Sequence, residues 1–217
     1  MLVEFWDCCR ANSIRTLPYL KEWHRRYTER GLLMVGVHTA GFEPAENPQT
    51  VRDAVTRLEI PYAVVIDASG EIWQAYGNLG WPARYLFGAD GMLCHYHYGE
   101  GGYQETELAI QQLLGLDPAP APVEALRAED EPDAVLEPQS EDVAGAYSGP
   151  YRAGGVWAVL EGAGTVRANG RAFEVDHAGA YELISHPRST DGDLELEVGP
   201  GVRCLATCFT PGVPDPA

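Results

Sequence analysis

The chain has 217 residues, 45% of them hydrophobic, which is enough to form one large or two small folded domains. It carries 32 acidic and 15 basic residues, and its formal net charge at pH 7 is −17. Nucleic acids and anionic membrane surfaces attract clustered lysine and arginine. This composition therefore argues against both as partners.

The sequence also predicts the compartment. It contains no apolar run near the ~18 residues that a membrane span needs, and no basic segment typical of a signal peptide. We therefore expect a cytoplasmic protein. The five cysteines, at positions 8, 9, 94, 204 and 208, are sparse and odd in number, which argues against a disulfide framework.

The first part of the chain alternates predicted strands and helices. Apolar runs at 2–6, 32–38 and 62–66 indicate buried strands. Apolar residues at helical spacing predict helices over 13–30 and after Asn47, and a short helix is expected at 70–76.

An antiparallel pair and a last helix follow. Strands at 84–87 and 92–98 flank a hairpin connection at 88–91, and the closing helix covers 103–114. Its apolar side is expected to hold Leu108, Ile110, Leu113 and Leu114. The order predicts an α/β domain over 1–116 with a mixed sheet.

Composition changes at residue 117. The stretch 117–146 is rich in proline and acidic residues, and we expect a linker there that is extended over much of its length. From 147 to 217 the pattern is all β, with short strands that turns at 168–171 and 191–193 are expected to separate. This spacing predicts a small β-sandwich or jelly-roll domain.

Two adjacent thiols, Cys8 and Cys9, lie between the first strand and the first helix. A thiol just before a helix N-terminus meets unpaired backbone N–H groups and the positive end of the helix dipole. Both stabilise the thiolate, so this position favours redox or nucleophilic chemistry.

The first domain resembles thioredoxin-like proteins of the DipZ/TlpA type. Matching blocks are 5–6, 15–20, 36–39, 76–78, 81–86 and 98–103. In the DipZ type such a domain is followed by a linker and a carbohydrate-binding-module-like β-sandwich, and the rest of this chain is similar in order. The resemblance implies further strands ahead of Leu2, so an incomplete N-terminus or a homodimer contact in their place is expected.

The resemblance places the two cysteines of the family on Arg10 and Ser13, and neither is a cysteine. Ordinary dithiol exchange needs a nucleophilic thiolate and a resolving thiol. Three alternatives stay open: Cys9 is a lone redox thiol, Cys8 and Cys9 form a vicinal disulfide, or the site is degenerate and the thiols are structural.

The leading hypothesis is a thiol-dependent oxidoreductase that acts on protein or small-molecule thiols, disulfides or peroxide. Cys9 would be its nucleophile, with Arg10 and the helix N-terminus as thiolate stabilisers and Ser13 as a hydrogen-bond donor. The alternative is a non-catalytic scaffold whose C-terminal domain binds a sugar or peptide.

Trp81-Pro82 matches the family's cis-proline. The resemblance implies that this loop, with Cys8, lies on the substrate side of the site and accepts an extended peptide.

Other residues carry weaker signals. His95 and His97 alternate on one strand face without a third ligand, so the sequence predicts no metal site and no cofactor. Cys204 and Cys208 stand too far apart along a strand to pair. Glu100 is expected to be a solvated turn residue. Trp157 and Tyr181 could stack on a sugar, but core packing is the favoured interpretation.

Overall fold

The computed structural model describes residues 1–215, so the last two residues of the predicted C-terminal domain lie outside the described part. The chain forms two compact units, described separately below. One comprises Met1–Cys8 and Asn12–Leu126, and the other comprises Cys9–Ala11 and the chain from Arg127 onward. No helix of the described residues is long and apolar enough to cross a membrane.

The first unit has the predicted element order. Its strands are β1 (Leu2–Trp6), β2 (Met34–His38), β3 (Ala63–Ile66), β4 (Ala83–Phe87) and β5 (Leu93–Tyr98). Its α-helices are α1 (Ala11–Tyr27), α2 (Pro48–Arg57), α3 (Glu71–Ala75) and α4 (Tyr103–Leu113), and α1 begins in the stretch grouped with the second unit. Short 3₁₀ helices cover Thr28–Arg30 and Glu43–Glu46.

These strands form one mixed sheet in the order β3-β2-β1-β4-β5. The strands β1, β2 and β3 are parallel, whereas β4 and β5 are antiparallel additions. Because β1 and β2 are parallel neighbours in register, Trp6 lies beside His38 at their carboxyl ends. The predicted mixed sheet is confirmed.

Aromatic residues cover one face of this sheet. Phe5 makes edge contacts with Trp73 and Tyr76, with ring centroids 5.8 and 5.1 Å apart. Val3 and Val37 belong to the same buried cluster. Burial of these side chains provides the main favourable free energy for this layer.

The helix α4 departs from the predicted burial pattern. Leu108, expected on the apolar side, is exposed, while Glu107 and Gln111 are buried. The Glu107 carboxylate accepts hydrogen bonds from Trp23 Nε1 at 3.0 Å and Tyr27 Oη at 2.6 Å. These bonds satisfy the Glu107 carboxylate, so this glutamate is buried, while the neighbouring Leu108, which hydrophobicity alone places in the core, is exposed.

The expected linker over 117–146 is not extended throughout. Its first part packs in the first unit, where Val123 N donates to Glu107, Arg26 donates to Ala121 O, and Leu126 N donates to Tyr19 Oη. Its second part belongs to the second unit and includes a 3₁₀ turn at Ala128–Asp130.

The second unit contains two antiparallel sheets. One has the order β10-β7-β12-β6 and the other β11-β8-β9. The strands are β6 (Val143–Ala144), β7 (Gly149–Gly162), β8 (Gly164–Ala168), β9 (Arg171–Val175), β10 (Gly179–Leu194), β11 (Leu196–Val198) and β12 (Val202–Thr210). Their buried side chains, including Leu160, Val166 and Phe209, form one core.

The predicted turn at 191–193 is wrong. These residues lie within β10, where Gly192 pairs with Tyr151 of β7. A Cβ at Gly192 would stand 2.8 Å from Cζ of Tyr151, so this glycine makes room for an aromatic ring instead of a chain reversal. The other predicted turn is real, because Asn169 and Gly170 both have positive φ and join β8 to β9.

Candidate functional site

The carboxyl ends of β1 and β2 bring Asp7, Cys8 and His38 together. Their ligand-type atoms, a carboxylate oxygen, Sγ and an imidazole nitrogen, all lie within 4.8 Å of one another. Asp7 and Cys8 are 0% exposed and His38 is 1% exposed. Parallel neighbouring strands end at the same sheet edge, and this places residues from distant parts of the sequence in one cluster.

Backbone contacts fix the orientation of Asp7. Its Oδ2 accepts a hydrogen bond from Gly41 N at 2.8 Å, and its own N donates to Ser13 Oγ at 3.2 Å. The remaining oxygen, Oδ1, stands 3.7 Å from His38 Nε2. The carboxylate therefore presents one oxygen towards the imidazole.

The His38 ring lies between Asp7 and the turn. Its Nε2 accepts a 3.4 Å hydrogen bond from Cys8 N, and its ring meets Trp6 edge-on with centroids 5.0 Å apart. Burial disfavours the imidazolium, but hydrogen bonds and negative charge from Asp7 and Cys8 outweigh it and raise the pKa of His38 to about 9. Protonation of Nε2 would replace the bond from Cys8 N with one donated to Asp7.

The predicted site residues are only partly brought together. Cys8, predicted on the substrate side of the site, lies in the cluster, and Cys9 is not among the three residues of the cluster within the described chain. Cys9 is fully buried, and Arg10 is half-buried in the turn before α1. The sequence predicts that Ser13 donates a hydrogen bond to a Cys9 thiolate. In the structure its hydroxyl oxygen accepts a hydrogen bond from Asp7 N.

The loop before β4 has the expected cis bond between Trp81 and Pro82. Trp81 Nε1 donates to Thr39 O at 2.9 Å, which ties this loop to the residue after His38. Pro82 is buried and its carbonyl accepts from Gly99 N at 2.7 Å. One acceptor position of that carbonyl is therefore used within the unit, and peptide binding at this loop stays a prediction.

A second buried polar group lies earlier on β1. Glu4 pairs in register with Arg84 of β4, and both side chains are almost fully buried. Within the described residues neither oxygen of the Glu4 carboxylate has a hydrogen-bond partner. Burial raises the pKa of Glu4 to about 8, although the charge of Arg84 acts in the opposite direction.

Arg84 contacts the residues between the end of β5 and the start of α4. Its Nη2 donates to Gly101 O, and its guanidinium lies 5.0 Å from the ring centroid of Tyr103. Burial lowers its pKa, and the charge of Glu4 raises it.

The structure corrects the prediction for Glu100. Its Oε1 accepts from Arg15 Nε at 2.6 Å, and both side chains are largely buried. Glu100 is thus part of an ion pair and not a solvated turn residue.

The two histidines of β5 bond within the unit. His95 Nε2 lies 3.2 Å from Thr106 Oγ1, and His97 Nε2 lies 2.9 Å from Glu100 O. Burial lowers the pKa of both rings.

The aromatic and cysteine candidates of the second unit are spread over its strands. Trp157 is buried, and the Tyr181 hydroxyl contacts His177 Nδ1. Cys204 and Cys208 are free thiols, and burial raises the pKa of both.

Sequence reasoning missed His38 and Asp7. The available signal was positional: His38 ends an apolar run predicted to be a parallel strand, and Asp7 directly follows another. A search for polar residues at such strand ends would have grouped them.

Comparisons with named proteins match the first unit. Over 114 residues the chain is 35% identical to Protein DipZ of Mycobacterium tuberculosis, covering 52% of this chain and 16% of DipZ. Over 113 residues it is 23% identical to Thiol-disulfide oxidoreductase ResA of Bacillus thuringiensis, covering 52% of this chain and 62% of ResA. The N-terminal half is thioredoxin-like.

The thioredoxin-like half also resembles solved structures. A thiol-disulfide isomerase from Corynebacterium glutamicum matches with a TM-score of 0.49 and 18% identity, over 53% of this chain and 80% of that one. No protein-family model matches the chain. The chain spans about a sixth of the length of DipZ, as the 16% coverage shows.

Proposed function

We propose that the thioredoxin-like half is a thiol-dependent oxidoreductase in which a single cysteine of the 8–9 pair, Cys8, performs thiol–disulfide exchange. The observation that supports this is the position of Cys8 beside His38 and Asp7 at the carboxyl ends of two parallel strands. The relatives DipZ and ResA, the second of which is named as a thiol-disulfide oxidoreductase, support the same class of chemistry.

The proposed step is an exchange of one S–S bond for another. The Cys8 thiolate attacks one sulfur of a small disulfide, the substrate's S–S bond breaks, and the departing thiolate takes a proton from water. An external thiolate then attacks the substrate-derived sulfur of the mixed disulfide, forms a new external disulfide and releases the Cys8 thiolate. If Cys9 attacks Cys8 Sγ instead, the substrate thiol leaves and the resulting Cys8–Cys9 disulfide is reduced by two external thiols. Both cysteines are 0% exposed, so the proposed exchange requires local opening of the turn, and a small disulfide needs the least opening.

Cys8 replaces Cys9 as the proposed nucleophile because His38 and Asp7 cluster with Cys8. Cys9 stays the nucleophile predicted from the sequence, and adduct mapping with glutathione disulfide separates the two cysteines. Peroxide is a second oxidant class for the same thiol, which it would convert to a sulfenic acid with release of water.

The test uses the full chain with Cys94→Ser, because Cys94 is an exposed thiol that would react first. The reduced protein is mixed with glutathione disulfide, and the adduct is located by peptide mass mapping in this background and in added Cys8→Ser or Cys9→Ser. We expect the adduct to be lost with Cys8→Ser and kept with Cys9→Ser. An adduct that disappears only with Cys9→Ser returns the nucleophile to Cys9.

The second candidate is a non-catalytic binding protein. It is favoured by the full burial of both thiols and by Arg10 and Ser13 at the positions of the family's cysteines. Absence of any adduct on Cys8 and Cys9 would support it. In that case the open cavity of about 450 Å³ beside Tyr151 and Asp193 in the second unit is where a sugar ligand is proposed to bind.

A further inference from the structure

We propose that Asp7, Cys8 and His38 form a binding site for one divalent cation of the zinc class. The three residues offer three different ligand atoms within 4.8 Å of one another, and all three side chains are buried. Thiolate, imidazole and carboxylate are the ligand types found together at zinc sites in proteins, and three protein ligands leave a fourth position open.

The spacing is close to that of a tetrahedral site. Zinc binds imidazole nitrogen and carboxylate oxygen at about 2.0–2.2 Å, so two such ligands of a tetrahedron stand roughly 3.4 Å apart. His38 Nε2 and Asp7 Oδ1 are 3.7 Å apart. An inward movement of a few tenths of an ångström therefore brings this pair to ligand geometry.

Ligation changes the contacts of His38 Nε2. A cation there displaces the proton that the raised pKa of His38 favours, and it takes the place of the 3.4 Å bond from Cys8 N, which is beyond the usual range for N–H donors. The strong contact, Gly41 N to Asp7 Oδ2, uses the oxygen that does not face His38. It would remain and orient the ligating carboxylate, as outer hydrogen bonds do at metal sites.

Charge supports a dication. A carboxylate and a thiolate together carry two negative charges, which match the charge of one dication. One divalent cation neutralises both, and the chain's net charge of −17 favours cations over anions in general.

The cation would also give the site a redox dependence, which rests on the proposed function. Conversion of the Cys8 thiolate to a mixed disulfide removes its negative charge and its strongest ligand atom. We therefore expect the oxidised protein to release the cation. Binding to the reduced protein does not depend on exchange activity.

The test uses cobalt as a spectroscopic probe for zinc. The reduced full chain, stripped with a chelator, is titrated with Co²⁺ while thiolate-to-cobalt charge transfer is followed in the near ultraviolet. We expect one equivalent to bind, Zn²⁺ to displace it, and the band to be lost in Cys8→Ser but kept in Cys9→Ser, the matched buried neighbour.

Two results would overturn the site: no band in the wild-type chain, or a band that persists in Cys8→Ser. Circular dichroism checks that each variant is folded. If Cys8→Ser does not fold, Asp7→Asn and His38→Gln replace it, and an unchanged affinity in both refutes the proposal. Disulfide exchange is measured separately with chelator present, so loss of metal binding is distinguished from loss of exchange activity.

Discussion

Glu4 should make the stability of the chain depend on pH, and Glu4→Gln should remove this dependence. The carboxyl group is buried without a hydrogen-bond partner among the described residues, and its pKa rises from 4.5 to about 8. The folded state thus holds a proton that the unfolded state releases. Glutamine keeps the shape of the protonated acid and cannot ionise.

The sign and magnitude follow from proton linkage. Below pH 4.5 both states are protonated, so Glu4 imposes no ionisation penalty on folding. Above it, the free energy of unfolding falls by ~1.4 kcal/mol per pH unit until the folded pKa is reached. Between pH 5.5 and 7.5 we therefore expect Glu4→Gln to gain ~2–3 kcal/mol relative to wild type.

Urea unfolding at pH 5.5, 6.5 and 7.5 measures this difference. Other titrating groups are shared by both proteins, and their effects cancel in the comparison. Glu124→Gln, at an exposed position of the same unit, is the matched control and should follow wild type at every pH. A stability difference between wild type and Glu4→Gln that stays constant with pH would refute the reasoning.

Three further outcomes are expected. Glu107→Ala removes the acceptor of several buried bonds and should lower the free energy of unfolding by ~3 kcal/mol or more, measured in urea; a loss below 1 kcal/mol would contradict the buried network. Leu160→Ala, in the core of the second unit, should cost ~2–5 kcal/mol by the same measurement, and an unchanged midpoint would argue against that core. In the folded protein, iodoacetamide should label Cys94 before Cys8 or Cys9, as followed by mass spectrometry; equal rates would show that the turn is open.

Much of the first unit could be predicted because its signals are local. The apolar run at 2–6, the capping Asn47 and the hairpin at 88–91 each specify their own element, and the structure confirms all three. Strand alternation with helices then indicated parallel pairing between the first strands.

The predictions that were wrong depend on contacts between residues that are distant in the sequence. Glu107 is buried because Trp23 and Tyr27 donate to it, which no helical pattern reveals. In the sequence, Gly192 is typical of a turn. In the structure, the Tyr151 ring occupies the space that a side chain at this position would need.

The candidate site shows the same limit. The sequence located the thiols correctly between a strand and a helix, and it selected Cys9 from chain-neighbouring groups alone. Which of the two thiols reacts stays a prediction. His38 is 30 residues from Cys8 and reaches it only through strand pairing.

The contacts of residues 117–126 determine where the first unit can be separated for study on its own. A fragment that stopped at Leu116 would uncover one side of α4 and leave Glu107 without Val123, Arg26 without Ala121 O and Tyr19 Oη without Leu126. A fragment that ends at Leu126 keeps all three contacts. The expression boundary therefore lies thirteen residues beyond Leu113, the end of α4, inside a stretch whose proline-rich composition would invite its removal.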